Sequence, residues 1–395
     1  MTPALLNRRE MIKGSIAFAA LALTHEPLSA FGFAEPEAGS QVIPLLDPQV
    51  GKDGLKWVKQ AGGGVRWEKL SSWVTPNADV YQVQHYGVPK FDNAEWELEV
   101  GGLVKKPKKF TIADIKNRKK KSITATLECS GNSSSTGFMG AIGNVKWTGT
   151  PLASLLKDCE PYKRGIEVGF FGMDTAKDED RNKKEYQATF SRGLHIADAM
   201  RDDILLCYEM NGESLPKSHG APLRLVVPGW FGIAWVKWLS RIEVLDHRVM
   251  SKYMAREYVT VRGEERGDRT IWRETSIGPM LIKSMIARAT KLKNGTVRLN
   301  GAAWGDGTPL AKVDVKIDDG PWQPAKLDKT ERAEFSWTFW NFDWKNPTPG
   351  EHTLISRATD TEGRTQPASE DATMKLKRTY WEANQQWPRR LEIAS

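Results

Sequence analysis

The feature that most constrains the fold is a series of short alternating segments in the last third of the chain. In residues 312–318, apolar side chains at 313, 315 and 317 alternate with charged ones, which is typical of a strand with one buried face. Further short strands are predicted at 296–299, 335–340 and 353–358, and the turn dipeptides Asp-Gly, Pro-Gly and Glu-Gly lie near them. Regularly spaced short strands predict an immunoglobulin-like β-sandwich over residues 279–395.

Residues 75–278 have a different pattern, in which short strands alternate with helices. Strands are predicted at 95–100, 123–127, 204–208, 223–227 and 242–245, and a helix is expected to begin at Ile196. The chain has neither a Gly-x-Gly-x-x-Gly loop nor a Walker loop, so dinucleotide and nucleoside triphosphate chemistry are not expected. A chain of 395 residues accommodates two such domains, and the predicted fold class of the first is α+β.

The N-terminus has the pattern of an export signal. Arg8 and Arg9 precede an apolar run at residues 16–23, which is too short to span a bilayer, and small residues follow it. The arginine pair predicts a twin-arginine signal over residues 1–34, although an ordinary signal peptide with a chance arginine pair stays an alternative. We therefore expect a periplasmic protein, exported after folding, with no membrane span. Residues 35–74 are irregular and glycine-rich, and an extended arm is predicted there.

The charge pattern excludes few partners but argues against nucleic acid. The chain has 57 Lys and Arg against 49 Asp and Glu, so its net charge is +8. The basic runs at residues 105–109 and 118–121 lack interleaved aromatic residues. Such runs are expected to be solvated loops, because nucleic-acid surfaces combine basic and aromatic side chains.

The three cysteines show no C-x-x-C spacing, which excludes a zinc ribbon, covalent c-type haem attachment and a thioredoxin-like pair. Cys129 follows a predicted strand and is followed by Ser-Gly-Asn, a sequence that favours a tight turn. A thiolate on this turn could be a nucleophile or a ligand of a soft metal. Taken alone, Cys129 fits a small buried core residue better than a functional one. Cys159 and Cys207 are expected to be core residues, and whether they form a disulfide stays open.

An ordered set of short motifs accompanies the Cys129 turn. In chain order these are Trp147-Thr148-Gly149, Gly172-Met173-Asp174, Tyr208-Glu209-Met210-Asn211-Gly212, His219-Gly220-Ala221-Pro222-Leu223-Arg224, Val226-Val227-Pro228-Gly229, Val236-Lys237-Trp238-Leu239 and Ala255-Arg256-Glu257-Tyr258. The set resembles the sulfite oxidase family of molybdenum enzymes, from about residue 75 through the C-terminal sandwich. The resemblance implies a sulfite-oxidase-type molybdopterin-binding domain over residues 75–278. It also implies that residues 279–395 form a dimerisation domain, and hence that the protein is a homodimer.

The resemblance also implies the cofactor, molybdenum with one molybdopterin, and a role for individual residues. Cys129 would bind molybdenum, and the Tyr258 hydroxyl would point at an oxygen ligand of the metal. The residues expected to contact the pterin or its phosphate are Tyr81, Gln84, His85, Asp174, His219, Arg224, Trp235, Val236 and Lys237. Arginine and lysine suit such a site because both hold phosphate groups.

The chain departs from this family where sulfite would bind. Family arginines that hold the substrate fall at Val83, Ser134 and, as the sequence is interpreted, Thr338. A buried oxyanion without positive partners is costly to desolvate. Cations elsewhere could compensate, and the candidates are Lys146, Arg192, Arg256 and Arg262.

These observations predict a periplasmic molybdenum oxidoreductase that acts on a small sulfur compound, most simply sulfite, which it would oxidise to sulfate. Electrons are expected to pass to an external acceptor, such as a c-type cytochrome. Two alternatives stay open. One is a same-family enzyme for protein-bound sulfane sulfur or for a sulfoxide, and the other is a non-catalytic binding protein.

Overall fold

The structure is a computed structural model that describes residues 39–47, 63–92, 94–134 and 138–394. The predicted export signal at residues 1–34 lies outside the described residues, and so does much of the predicted arm. None of the helices in the described ranges is long and apolar enough to cross a membrane.

Strands dominate both halves of the chain. Those up to residue 276 are β1 (Gln41–Ile43), β2 (Glu97–Gly102), β3 (Lys108–Thr111), β4 (Lys121–Glu128), β5 (Ile142–Pro151), β6 (Glu167–Glu179), β7 (Glu185–His195), β8 (Leu205–Met210), β9 (Glu213–Ser214), β10 (Arg224–Val226), β11 (Leu239–Leu245), β12 (Val259–Arg266) and β13 (Arg269–Ser276). Those after it are β14 (Lys283–Lys291), β15 (Val297–Trp304), β16 (Leu310–Ile317), β17 (Gln323–Pro324), β18 (Lys326–Leu327), β19 (Thr338–Trp344), β20 (Gly350–Asp360) and β21 (Arg389–Ile393).

The helices are short. They are α1 (Ile112–Lys116), α2 (Leu152–Cys159), α3 (Ile196–Ala199) and α4 (Ala372–Lys375). Single turns of 3-10 helix occur at Lys217–His219 and Gly232–Ala234, and a π-helical turn spans Lys252–Arg256. The α3 helix begins at Ile196, as the sequence predicts.

Two sheets form the first domain. One has the strand order β10-β8-β5-β4 with β9 beside β8, and the other has the order β3-β2-β11-β6-β7. All the pairings in these sheets are antiparallel except that of β11 with β2. A separate hairpin of β12 and β13 leads toward the second domain. This arrangement confirms the α+β expectation, with helices shorter than the sequence pattern suggests.

The second domain is the expected sandwich. Its sheets have the strand orders β1-β14-β15-β19-β18 and β17-β16-β20-β21, and each strand pair is antiparallel. Alternate residues of both sheets fill one core; Val313 and Val315 of β16 meet the side chains of β14 and β15 there. Strand β1 comes from the predicted N-terminal arm and extends the sheet that contains β14, β15, β19 and β18 by pairing with β14.

The domains share a tryptophan-rich junction. The Trp67 ring stacks on that of Trp304 at 5.8 Å and lies 5.8 Å from that of Trp337. All three side chains are buried, in a core that otherwise belongs mainly to the first domain. Because such large apolar side chains are buried there, the interface between the domains resembles the hydrophobic core of a single domain. The two domains are therefore held in a fixed relative orientation.

Candidate active site

Cys129 lies on a tight turn that directly follows β4. The Cys129 amide donates to the Ala141 carbonyl at 2.9 Å, and the Asn132 amide donates to the Cys129 carbonyl at 2.9 Å. The Asn132 side chain closes the turn, because its Oδ1 accepts from the Ala141 amide at 3.0 Å. Space at Gly131 is tight, since a Cβ would lie 3.3 Å from the Tyr380 ring and 3.4 Å from the Phe138 ring. The Ser-Gly-Asn pattern thus presents the thiol from a rigid loop.

The Cys129 thiol is protonated in the protein alone. Burial raises its pKa to about 11, while hydrogen bonds from the amides of Gly131 and Asn132 act in the opposite direction. A metal ion bound to this sulfur would displace its proton.

A cluster of buried basic side chains lies in the same cavity. The Arg224 guanidinium donates to the carbonyls of His219 at 2.9 Å and Trp235 at 3.3 Å. Lys237 Nζ donates to the Val83 carbonyl at 3.1 Å and to Gln84 Oε1 at 3.2 Å. These bonds bring the segment at residues 81–85 against the turn that carries His219.

Gly220 allows the two cations to approach. Its φ is +111°, and a Cβ there would lie 3.0 Å from Lys237 Cβ and 3.1 Å from Arg224 Cβ. A side chain at this position would therefore be strained and would press the two residues apart.

The cluster is electrostatically unfavourable without an anion. Burial, then the neighbouring Arg224, lowers the pKa of Lys237 to about 7. Burial also lowers the pKa of Arg224 to about 10. Burial together with both cations lowers the pKa of His219 to about 3. An anionic group placed here would raise both pKa values again and stabilise the charged forms of Lys237 and Arg224.

Among the described residues, four buried polar atoms of the cavity lining have no hydrogen-bond partner. They are Ser130 Oγ, Asp174 Oδ1, His219 Nε2 and Arg224 Nε. Burial raises the pKa of Asp174 to about 7. Buried polar atoms are normally hydrogen-bonded, so this set fits a ligand that carries both donors and acceptors.

Tyr258 completes the cavity from the far end of the π-helical turn. Its hydroxyl lies 3.0 Å from His85 Nε2. Its φ is +56°, which is uncommon for a residue other than glycine and is held here by packing. Burial raises the pKa of Tyr258 well above 10, so the hydroxyl keeps its proton.

One cavity, partly open to solvent, gathers almost all of the predicted residues. Its lining contains Cys129, Tyr258, Tyr81, Gln84, His85, Asp174, His219, Arg224, Trp235 and Lys237. Val236 does not line it; that side chain is buried behind the cavity, and its carbonyl accepts from the Leu225 amide. The sequence did not single out the other lining residues, which include Leu127, Ser130, Phe190, Ile233 and Trp238.

The three residues at positions where the family is expected to have arginines differ in where they lie relative to the cavity. Val83 lines the cavity. Ser134 lies at the end of the Cys129 turn and is not among the lining residues, and Thr338 lies on β19 opposite Ala303, away from the cavity. The sequence interpretation that Thr338 stands at a substrate position is therefore not supported.

None of the four candidate replacement cations lines the cavity. The Arg192 guanidinium donates to the carbonyls of Tyr253 and Ile277, and that of Arg256 to Asp178 and Tyr186. Arg262 pairs with Glu382 at 3.1 Å, and Lys146 is exposed. Within the described part of the chain, Arg224 and Lys237 are the only lysine or arginine residues that line the cavity.

The remaining cysteines fit core residues. Cys159 and Cys207 are buried free thiols, so they form no disulfide with each other. Burial raises the pKa of Cys207 to about 12.

Comparison with known families agrees with this site. Residues 85–253 match the oxidoreductase molybdopterin binding domain, and residues 276–383 match the Mo-co oxidoreductase dimerisation domain. The fold and the site therefore define a molybdopterin-dependent oxidoreductase. The chain belongs to the sulfite oxidase family.

Individual relatives support the same assignment. The chain is 29% identical to sulfite oxidase of Arabidopsis thaliana over 78% of its own length and 86% of the plant protein. It is 32% identical to the mitochondrial sulfite oxidase of Rattus norvegicus over 75% of its length, but spans 58% of that protein. The crystal structure of the sulfane dehydrogenase SoxCD from Paracoccus pantotrophus superposes with a TM-score of 0.70 at 26% identity, covering 85% of this chain and 88% of that one.

The residues present fit a molybdenum cofactor. The cavity offers a soft sulfur donor at Cys129 and, in the same space, two cations and four polar atoms without a partner among the described residues. Thiolate suits a metal that is already bound by sulfur, and arginine and lysine suit a phosphate group.

Proposed function

We propose that this protein is a periplasmic molybdenum oxidoreductase that transfers an oxygen atom to or from a small sulfur compound. The simplest reaction is oxidation of sulfite: sulfite and water yield sulfate, two protons and two electrons. The observation that carries the proposal is the shared cavity, which holds the Cys129 thiol together with the Arg224 and Lys237 cations. When bound, the molybdenum cofactor supplies oxygen-atom transfer coupled to two-electron redox chemistry.

The protein's own residues have distinct roles in this proposal. Cys129 binds the metal, and Arg224 and Lys237 hold the phosphate of one molybdopterin. His219 and Asp174, with their unpartnered atoms, provide hydrogen bonds to its polar edge. Tyr81, Gln84, His85 and Trp235 close the wall around it.

Tyr258 acts on the reacting group. Its hydroxyl is protonated and uncharged, and it lines the same cavity as Cys129. It can therefore donate a hydrogen bond to an oxygen atom at the reacting centre without adding charge.

A second candidate substrate follows from the charges of the cavity. If the two lining cations hold the cofactor phosphate, no described lysine or arginine of the lining is left for a dianion. An uncharged sulfur group, such as a sulfoxide or protein-bound sulfane sulfur, avoids the desolvation cost that sulfite would meet. The structurally similar SoxCD is a sulfane dehydrogenase, which agrees with such a substrate.

Steady-state kinetics of the purified holoenzyme tests both candidates. Sulfite, thiosulfate and a small sulfoxide should be compared with an artificial electron acceptor or donor, and molybdenum should be measured in the same sample. We expect turnover with at least one of them in proportion to the molybdenum content. Stoichiometric molybdenum without turnover of any sulfur compound would contradict the proposed reaction, and absence of molybdenum would contradict the cofactor.

Partners and location are parts of the same proposal. We infer that electrons leave to an external carrier, such as a c-type cytochrome, and that the sandwich joins two chains in a homodimer, as its match to a dimerisation domain suggests. Light scattering of the purified protein should give twice the mass of one chain. A monomer at micromolar concentration would contradict the dimer.

A further inference from the structure

A buried ion pair connects the second domain to the residue next to the proposed metal ligand. Lys283 Nζ, at the start of β14, lies 2.6 Å from Glu128 Oε1 at the end of β4. Both side chains are almost completely buried, with 2% and 0% exposed. An ion pair buried this deeply needs complete hydrogen bonding. Without it, the free-energy cost of removing the two charges from water exceeds their Coulomb attraction.

The Glu128 carboxylate meets that requirement. Oε1 also accepts from Asn132 Nδ2 at 2.9 Å, and Oε2 accepts from Trp304 Nε1 at 2.9 Å. Two of its three partners, Lys283 and Trp304, belong to the second domain. The third, Asn132, is the side chain that closes the Cys129 turn.

Lys283 holds the turn in a second way. Its Nζ also donates to the Asn132 carbonyl at 3.3 Å. The second domain therefore contacts both ends of the Cys129 turn, at Glu128 and at Asn132, through one ammonium group.

We propose that Glu128 and Lys283 form a positioning pair, through which the second domain fixes the Cys129 thiol for molybdenum and sets the electric field at the metal. This inference rests on the proposed function, because it needs molybdenum at Cys129. Neither residue lines the cavity, so the pair acts through the turn and through its charges.

The pair predicts opposite effects for its two single substitutions. Lys283→Met leaves the Glu128 carboxylate unneutralised near the metal, which should lower the molybdenum midpoint potential. Glu128→Gln keeps the shape of the side chain but leaves the lysine charge, which should raise that potential. A residue with a merely structural role would not shift the potential in opposite directions.

Two further variants keep the proposal testable if the single variants fold poorly. The double variant Glu128→Gln with Lys283→Met removes both charges at once, and replacing both partners of a buried pair is often close to neutral for stability. It should regain a potential near that of the wild type. Lys283→Arg should retain the charge and with it the wild-type potential.

The experiment is a spectroscopic redox titration of each purified holoenzyme, without any sulfur substrate. Matched controls are the single variants Glu167→Gln and Arg248→Met, because Glu167 is also a buried glutamate paired with a cation, at 2.8 Å, but outside the cavity. Neither control should change the potential. If the single variants bind molybdenum but their potentials are unshifted, or shift in the same direction, the proposed role of the Glu128–Lys283 pair is wrong. If the wild type contains no molybdenum, the proposed function is wrong.

Discussion

The hydroxyl of Tyr258 lies 3.0 Å from Nε2 of His85, inside the cavity that contains the Cys129 thiol. Burial, then the charges of Lys237 and Lys252, lowers the pKa of His85 to about 4. The imidazole is therefore neutral near pH 7, and its ring stacks on Tyr253 at 4.3 Å. Tyr258 is also fixed from the other side, because its ring stacks on Trp381 at 4.1 Å.

Tyr258→Phe should lower kcat on the true substrate by about tenfold, because a neutral hydrogen bond contributes roughly 1 kcal/mol or somewhat more. The aromatic stack is retained in this variant, so the fold should be kept, although loss of the hydrogen bond to His85 should lower the unfolding temperature slightly. Molybdenum content is the control, and it should match the wild type. An unchanged kcat would remove Tyr258 from the reacting centre.

Val83→Arg should improve the use of sulfite. Val83 lines the cavity, and a guanidinium there could form charge-assisted hydrogen bonds with the oxyanion. Each such bond contributes about 1.5–3 kcal/mol, so the KM for sulfite should fall by about one to two decades.

The matched control for this variant is Val88→Arg, at an exposed valine outside the cavity. It should leave the KM for sulfite unchanged. The wild-type KM should lie well above the micromolar range. A low micromolar value in the wild type would show that other cations already bind the substrate.

The cavity itself could be predicted from the sequence because its residues come in short local motifs. His219, Gly220 and Arg224 lie within six residues, and Lys237 follows on the next segment. The order of these motifs along the chain identifies the family, and the fold of that family brings the motifs together in one cavity. The order does not reveal which side chains face inward: Val236 lies in a motif but does not line the cavity, whereas Phe190 and Ile233 line it and lie in none of the motifs.

The apoprotein should become more stable as the pH rises from 7 to 9. The unfolded chain keeps Lys237 protonated up to about pH 10.5, whereas burial lowers the folded pKa of this lysine to about 7. Between these values the unfolded state binds more protons, so the free energy of unfolding rises with pH by up to about 1.4 kcal/mol per unit. Burial raises the pKa of Asp174 to about 7, so ionisation of this carboxyl changes the free energy of unfolding below pH 7 and not between pH 7 and 9.

Thermal unfolding of cofactor-free protein at several pH values measures this effect. Lys237→Met should remove the slope between pH 7 and 8, whereas Lys377, whose pKa burial lowers to about 8, adds to the slope above pH 8. Bound cofactor should reduce the Lys237 contribution because an anion keeps that lysine charged. A slope between pH 7 and 8 that persists in Lys237→Met would place its origin elsewhere.

Export should require both N-terminal arginines. Replacement of Arg8 and Arg9 by lysine together keeps the charge but removes the twin-arginine pair. Folded, molybdenum-loaded protein should then accumulate in the cytoplasm. Cell fractionation with an immunoblot and metal analysis measures this, and normal export of the variant would contradict the twin-arginine prediction.

Contacts between the domains could not be predicted from the sequence. Glu128 and Lys283 are 155 residues apart, and Trp304 is 176 residues from Glu128. Nothing local distinguishes Lys283 from the other charged residues at the start of a sandwich strand. The same applies to Trp381, whose stacking on Tyr258 depends on how the second domain packs on the first. Such pairs arise from the packing of the domains and leave no periodic pattern.

The most direct test of the account is molybdenum and activity measured together in Cys129→Ser, with Cys159→Ser and Cys207→Ser as controls. All three thiols are buried and free, but only Cys129 lines the cavity. Even changes around a metal ligand cost about 10–100-fold in metal affinity. Loss of the ligand itself should therefore reduce activity by about 100-fold or more, with altered metal spectra or lost molybdenum. Cys159→Ser and Cys207→Ser should keep both the molybdenum content and the activity of the wild type. Equal and mild losses in all three variants would contradict the assignment of Cys129 as the molybdenum ligand.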